Sequence, residues 1–295
     1  MSRTACMHSI VAALMAAEGI LGPDRTWGTS NANQERFVRD FLPRIKSDLP
    51  QITDLIKSTA SFSADEINAF LALHGFPGLR VEPFSPDRFG AVGILDALVK
   101  WIKAGTLVDI VTPGRGQRYP GVKIDKYGVS FCRHSSHRHP VVAITTQTQD
   151  IVYLTMHDDL TQASVFDLFS SAERLSHDLS QIWEFGSLHF PMVKIDQSED
   201  ISWLEGLSTL RQDTAFLVWV EKALQQNRLK MNQFGARAQS ATVLVVRSLG
   251  IEMPKPPHII NQPFLVWFTR RGLSLPYFVA YVDESDWKNP GNLEG

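Results

Sequence analysis

The sequence predicts an α+β fold, and three observations carry that prediction. Residues 141–156, VVAITTQTQDIVYLTM, are rich in β-branched side chains around a polar turn, and residues 236–246 carry small or apolar side chains at every second position, with Arg237 and Gln239 on the opposite parity. Four other stretches, 9–21, 35–58, 64–74 and 164–185, carry apolar residues at helical spacing. The two kinds of segment are mixed without regular alternation, which argues against a wound parallel sheet. With 295 residues, 44% hydrophobic content and a formal charge of −2, the chain has the composition of a soluble globular protein able to bury a sizeable core. Prolines and glycines are scattered and no internal repeat is present, so residues 1–295 read as a single domain.

Taken in order, residues 9–21, SIVAALMAAEGIL, follow Arg3 and could be read as the apolar segment of a secretory signal. The run is short for a membrane span and is bracketed by His8 and Glu18, so a buried helix is the preferred reading. Within 35–58, Phe37, Phe41, Ile45, Leu49 and Ile52 share a helical face, and Pro43 and Pro50 divide it into two helices with a bend. Ser63 before Asp65 and Glu66 caps a helix over 64–74, which stops near Gly75 and Pro77. Ile94, Leu95, Leu98, Val99, Trp101 and Ile102 place a second helix over 91–104, ending at Gly105. Residues 141–156 form a hairpin turning at 147–150, and Val165, Leu168, Leu175, Leu179 and Ile182 make 164–185 an amphipathic helix pair.

Near the end, Ala236, Ala238, Ser240, Thr242, Leu244 and Val246 share one strand face, while Arg237, Gln239 and Arg247 fall on the other parity. In Met253-Pro254-Lys255-Pro256-Pro257 the three prolines lack backbone donors, so the segment cannot sit in a central strand.

The charge balance argues against a dedicated nucleic-acid or acidic-membrane binder, because no basic surplus or charge block is visible. Cys6 and Cys132 are too few for a disulfide framework and leave the compartment, secreted or cytoplasmic, open. Cys132, His134, His137 and His139 are candidate zinc ligands, but no second ligand pair closes a tetrahedral site and two arginines lie within the cluster. A solvated loop without metal is therefore preferred, and no cofactor is expected. No G-x-S-x-G elbow, H-E-x-x-H pair or Walker loop occurs. His157-Asp158-Asp159 reads as surface charge and residues 113–118, PGRGQR, as a basic turn.

Four segments, in this order, resemble the serpins. Residues 186–207, GSLHFPMVKIDQSEDISWLEGL, are similar to the family's SLHLPKF-x-I-x-x-x-x-DL segment; 224–235, LQQNRLKMNQFG, to the strand that feeds the reactive-loop hinge. Gly235, Ala236, Ala238, Ser240, Ala241 and Thr242 resemble the small-residue hinge itself, and 261–268 with 277–282 the closing pair of strands. The helix over 91–104, followed by Leu107-Val108-Asp109-Ile110, resembles the family's cross-sheet helix, iN-x-WV-x-x-x-T-x-G-x-I. No counterpart is found to its main-sheet strand N-A-x-Y-F-x-G-x-W, and Ala236 stands where Thr is usual. The resemblance implies a large central sheet, two smaller sheets and surrounding helices, with residues 236–257 as the reactive loop.

It also implies a monomeric inhibitor, not an enzyme, of serine and, as a further class, cysteine proteases. The target cleaves the loop, is held as an acyl-enzyme, and is displaced when the loop inserts as a strand, releasing the free energy of a metastable fold. Counting from the hinge places the scissile bond at Leu249-Gly250, for chymotrypsin-like targets; Arg247-Ser248, for trypsin-like ones, is the alternative. Two other classes stand beside this one: a non-inhibitory serpin-like carrier or scaffold, and a zinc-binding interaction protein using the Cys132–His139 patch.

Overall fold

The computed structural model describes residues 1–85, 88–114, 116–214, 216–236 and 255–293. The chain opens with strand β1 (Arg3–Ala5) and helix α1 (Met7–Leu21), which is buried nearly all round, as an interior helix is. Helix α2 (Ala32–Arg36) runs through a π-helical turn into α3 (Leu42–Asp48), and a 3-10 turn ends the segment. Pro43 therefore does not bend two helices apart. It lies in the first turn of α3, where its missing N–H costs nothing. Residues from Ile56 onward are not helical but form β2 (Ile56–Ser61).

Helix α4 (Ala64–Leu73) begins where expected, with the Ser63 hydroxyl accepting from the Glu66 N–H. The helix expected over 91–104 is instead β3 (Gly90–Leu95) and β4 (Val99–Lys100). Strand pairing decides this: β3 lies antiparallel to β2 over its whole length, with Gly93 allowing close approach to α1 and Gly90 to Ile67 of α4 on the other face.

Strands β5 (Thr106–Val111), β6 (Arg118–Asp125), β7 (Val129–Arg133), β8 (Val141–Thr145) and β9 (Asp150–Met156) follow, the last two being the expected hairpin. Helix α5 (Val165–Arg174) starts in a capping box, its Ser164 side chain bonded to the Asp167 backbone and the Asp167 side chain to the Ser164 backbone. Its expected partner helix is replaced by β10 (Ser180–Ile182), because this segment pairs with the free edge of β7. The remainder is β11 (Ser187–Pro191), β12 (Val193–Glu199), β13 (Ser208–Leu210), β14 (Leu217–Trp219), β15 (Gln225–Met231), β16 (Gly235–Ala236), β17 (Pro257–Ile259), β18 (Phe264–Arg270) and β19 (Phe278–Val282).

Seven strands form one antiparallel sheet in the order β1-β19-β18-β9-β8-β7-β10, and four form a second in the order β17-β11-β6-β5. The rest pair two by two: β2 with β3, β12 with β15, β13 with β14 and β4 with β16. The architecture is α+β. The main core lies between the seven-stranded sheet, α1 and α5, where Phe264, Leu265, Val266 and Trp267 are all without exposure. A smaller core, Ile67, Leu71 and Ile94, holds α4 against the outer face of β3.

Candidate functional site

Two strand pairs, β2–β3 and β12–β15, stand side by side without hydrogen bonds between β3 and β15 among the described residues. The space between them opens into a cavity of about 1810 Å³, floored by Ile10, Ala13, Leu14 and Ala17 of α1. Adjacent strands in a sheet are about 4.8 Å apart, so a slot bounded by two unpaired strand edges is a place where a further strand can be hydrogen-bonded on both sides.

The walls meet the floor differently. On β3, Gly93 lies so close to α1 that a Cβ built there would stand 2.0 Å from the Ser9 carbonyl oxygen. On β15, side chains reach down instead. The Gln225 Nε2 donates to the Cys6 carbonyl at 2.8 Å and to the Ser9 hydroxyl at 3.1 Å, while the Asn227 Nδ2 donates to the Thr4 hydroxyl at 3.0 Å. Thr4 in turn donates from its N–H and its hydroxyl to the buried Glu199 carboxylate of β12. These are buried polar groups with their partners supplied, as buried polar groups must be.

At one end the slot is closed. Gly235 pairs with Lys100 and Ala236 with Val99, antiparallel, so that β16 lies against β4 and points back between the two walls. A tight turn precedes it: the Asn232 N–H donates to the Gly235 carbonyl at 3.0 Å, and the Phe234 N–H to the Asn232 side chain at 2.9 Å. Gly235 is required by close approach, since its φ is +157° and a Cβ would lie 2.3 Å from the Val99 carbonyl oxygen. The buried Trp101 indole donates to the Asn232 carbonyl at 2.9 Å, and the Gly105 N–H donates to the Gln233 carbonyl at 2.7 Å.

Of the residues singled out from the sequence, Gly235 and Ala236 are thus placed at the closed end, and Ala236 is buried. Ala238, Ser240, Ala241 and Thr242, and both candidate scissile bonds, Leu249-Gly250 and Arg247-Ser248, lie outside the described residues. The imidazole patch is elsewhere. Cys132 is half-buried on β7, and His134 is buried with its Nδ1 accepting from the Ser136 N–H. His137 stacks on His157 at 5.4 Å and lies 6.0 Å from His139, while its Nε2 is held 2.9 Å from the Thr155 hydroxyl. Burial, with His157 and His139 alongside, pushes the His137 pKa down to about 4. Among the described residues no three ligating side chains are grouped to hold a metal. No helix among them is long and apolar enough to cross a membrane.

A short strand, Val99–Lys100, stands beside Gly235 and Ala236, and 90–101 shares with the family's main-sheet pattern only its final Trp. The helix lying across a wall of the slot is α4 rather than 91–104. Its Ile67-Asn68-Ala69-Phe70-Leu71 follows the same iN-x-WV form, with Phe for Trp and Leu for Val, and was the readable signal. Gln225 and Asn227 also passed unnoticed. Their signal was two amides on the parity that Leu229 and Met231 make apolar.

No described protein family matches the chain by sequence pattern, and no curated protein matches it by sequence. Solved structures do. Human thyroxine-binding globulin, in a structure with its thyroxine ligand, is similar with a TM-score of 0.58 at 11% identity over 96% of this chain and 91% of that one. A highly specific serpin of the insect Tenebrio molitor gives 0.57 at 11% identity over 95% and 91%. A serpin of Schistosoma mansoni gives 0.59 at 12% identity over 95% of each. A likeness that spans nearly the whole of both chains, joined to the slot and the strand pair at its closed end, identifies the fold of this chain as the serpin fold.

Proposed function

We propose that the chain is a suicide-substrate inhibitor of serine proteases, in which residues 236–257 are the bait and the slot between β3 and β15 receives the cut loop as a new strand. The observation that carries this reading is the direction of β16. Gly235 and Ala236 are already paired with β4 and lead into a slot bounded by strand edges that are unpaired among the described residues. Continued in the register of the Lys100 and Asn232 pairings, position 238 would fall between Ala97 and Leu229, and position 242 between Gly93 and Gln225. Alanine and threonine suit those sites. The first is flanked by apolar side chains, and the second faces the Gln225 amide on one side and, on the other, a glycine seated directly on α1.

The chain supplies no catalytic group in this reaction. The protease provides the nucleophile, and the inhibitor traps the acyl-enzyme by moving it before water can hydrolyse it. The bond Leu249-Gly250 is the favoured cleavage site and points to a chymotrypsin-like enzyme; cleavage at Arg247-Ser248 would point to a trypsin-like one. Incubation with one protease of each kind, followed by a denaturing gel and mass determination of the released peptide, tests the reading. A single cut between Val246 and Met253 with a covalent higher-mass adduct is expected. Clean turnover into two fragments would assign the chain instead to the non-inhibitory scaffolds of this fold.

A further inference from the structure

Strand β2 is covered on both faces and open along one edge. Gly93, opposite Ser58, lies against the Ser9 carbonyl of α1, and Gly90, opposite Ser61, lies against Ile67 of α4, so one helix backs the β2–β3 pair and another crosses its outer face. Apart from β3, no strand pairs with β2 among the described residues. The bonded positions follow from the register. The Asp96 N–H donates to the Leu55 carbonyl at 2.8 Å, directly before the paired run, and bonded positions in an antiparallel ladder recur at every second residue. Lys57, Thr59 and Ser61 therefore bond to β3, while Ser58 and Ala60 turn their N–H and C=O groups to the open edge.

An edge of this kind is ordinarily blunted by a proline, a bulge or inward-pointing charges. Here residues 56–61 read IKSTAS in unbroken register, with Lys57 as the one charged residue. The two outward positions carry the small side chains of Ser58 and Ala60, which leave room for a neighbouring backbone. They are also two residues apart. An identical strand laid antiparallel therefore sets Ser58 against Ala60 of the other copy and Ala60 against Ser58, with the two Thr59 residues facing across a two-fold axis. In that register Lys57 falls opposite Ser61 of the other copy. The Ser61 hydroxyl donates to the Glu66 carboxylate, and Lys57 and Glu66 are both exposed, so each copy brings a cation to the other's anion on the α4 face. A net charge of −2 sets little repulsion against this.

We propose that two copies of this chain pair through the outer edges of β2 into a closed dimer with a four-stranded β3-β2-β2-β3 sheet, in place of the monomer that the family resemblance implies. Each Ser58–Ala60 pair exchanges both of its backbone hydrogen bonds, and the Lys57–Glu66 pairs fix the register. The proposal is independent of the reading of the slot. The slot borders the other edge of β3, so its unpaired edges are not used.

Sedimentation of the intact, uncut chain from about 1 to 200 μM at low salt tests this. A reversible equilibrium that stops at two copies is expected, because a two-fold interface closes on itself. Ser58→Pro removes an outward N–H that β3 does not use, and should weaken the dimer more than about tenfold with thermal unfolding little changed. Lys57→Glu should weaken it about tenfold, and Glu66→Lys likewise, by setting like charges opposite one another. Joining the two exchanges in one chain should restore the dimer, which a loss of folding would not do, so the charge exchange decides even if the proline variant fails to fold. A chain that stays monomeric throughout this range, or that assembles beyond two copies, would overturn the edge pairing. So would a dimer indifferent to Ser58→Pro and to both charge exchanges.

Discussion

The seven-stranded sheet and the slot are built from strands of similar length, yet one is finished and the other is not. In the sheet, β18 is paired along its length with β9 on one side and with β19 over most of its length on the other, and its buried run Phe264-Leu265-Val266-Trp267-Phe268 has no alternation because both faces are covered. Trp267 stacks on Tyr153 at 5.1 Å and donates its indole N–H to Ser176 at 2.9 Å. Around the slot, β3 and β15 each have one paired edge among the described residues and are tied to α1 by a glycine contact and by amide hydrogen bonds. Hydrophobic burial stabilises the sheet whatever the slot does. The slot walls are held from below by contacts to α1 and β1 that do not involve the opposite wall.

Three experiments would break or sharpen that contrast. The largest effect should come from a single cut in the loop. Insertion would give backbone partners to both walls and bury Leu244 and Val246, each contributing about 1.5–3 kcal/mol when taken fully out of water. The unfolding midpoint should rise by about 10 °C or more. An unchanged or lower midpoint after the cut would mean that the slot does not accept the loop.

Next in size is Ala238→Arg, which would force an unpaired charge between Ala97 and Leu229 at a cost of several kcal/mol to the inserted state. The chain should then be cleaved without retaining the protease, while the midpoint of the uncut protein stays where it was. Retention of the covalent adduct by this variant would show that the register is wrong. The smallest effect is Gly93→Ala, in which a single methyl group meets the α1 backbone. It should lower the midpoint of the uncut protein by the equivalent of about 1–3 kcal/mol. If it has no effect, the wall is not seated on α1 as described.

Much of this was readable from residue patterns where local rules and packing agree. The Ser63 cap and the hairpin at 141–156 follow from local chemistry, the strands around 225–231, 264–270 and 278–282 from the family resemblance, and each element is present. The segment 91–104 failed because Ile94, Leu95, Leu98, Val99, Trp101 and Ile102 satisfy a helical period as well as a pair of short strands. The choice was made by a partner strand some thirty residues upstream, a contact that periodicity does not carry. Residues 180–182 failed likewise, being drawn to the open edge of β7. The slot itself could not be read at all. A gap between strands is a property of which edges remain unpaired, and no single segment encodes it. What the sequence did carry was its end: a glycine followed by small residues at the point where the chain turns toward that gap.

That end has a kinetic consequence. Joining two strands ordinarily begins with a costly nucleus, because the entropy of closing a loop is lost before the first pairs can repay it. Here the nucleus exists in the resting fold. Gly235 and Ala236 are already in register with Lys100 and Val99, and the Trp101 indole fixes the turn behind them. Growth from that point is propagation, one residue after another down the slot, with no search for alignment. If the chain acts as proposed, the race between it and a bound protease would be decided by how quickly a preformed zipper runs, and an impediment near its start should delay the whole strand more than the same impediment near its far end.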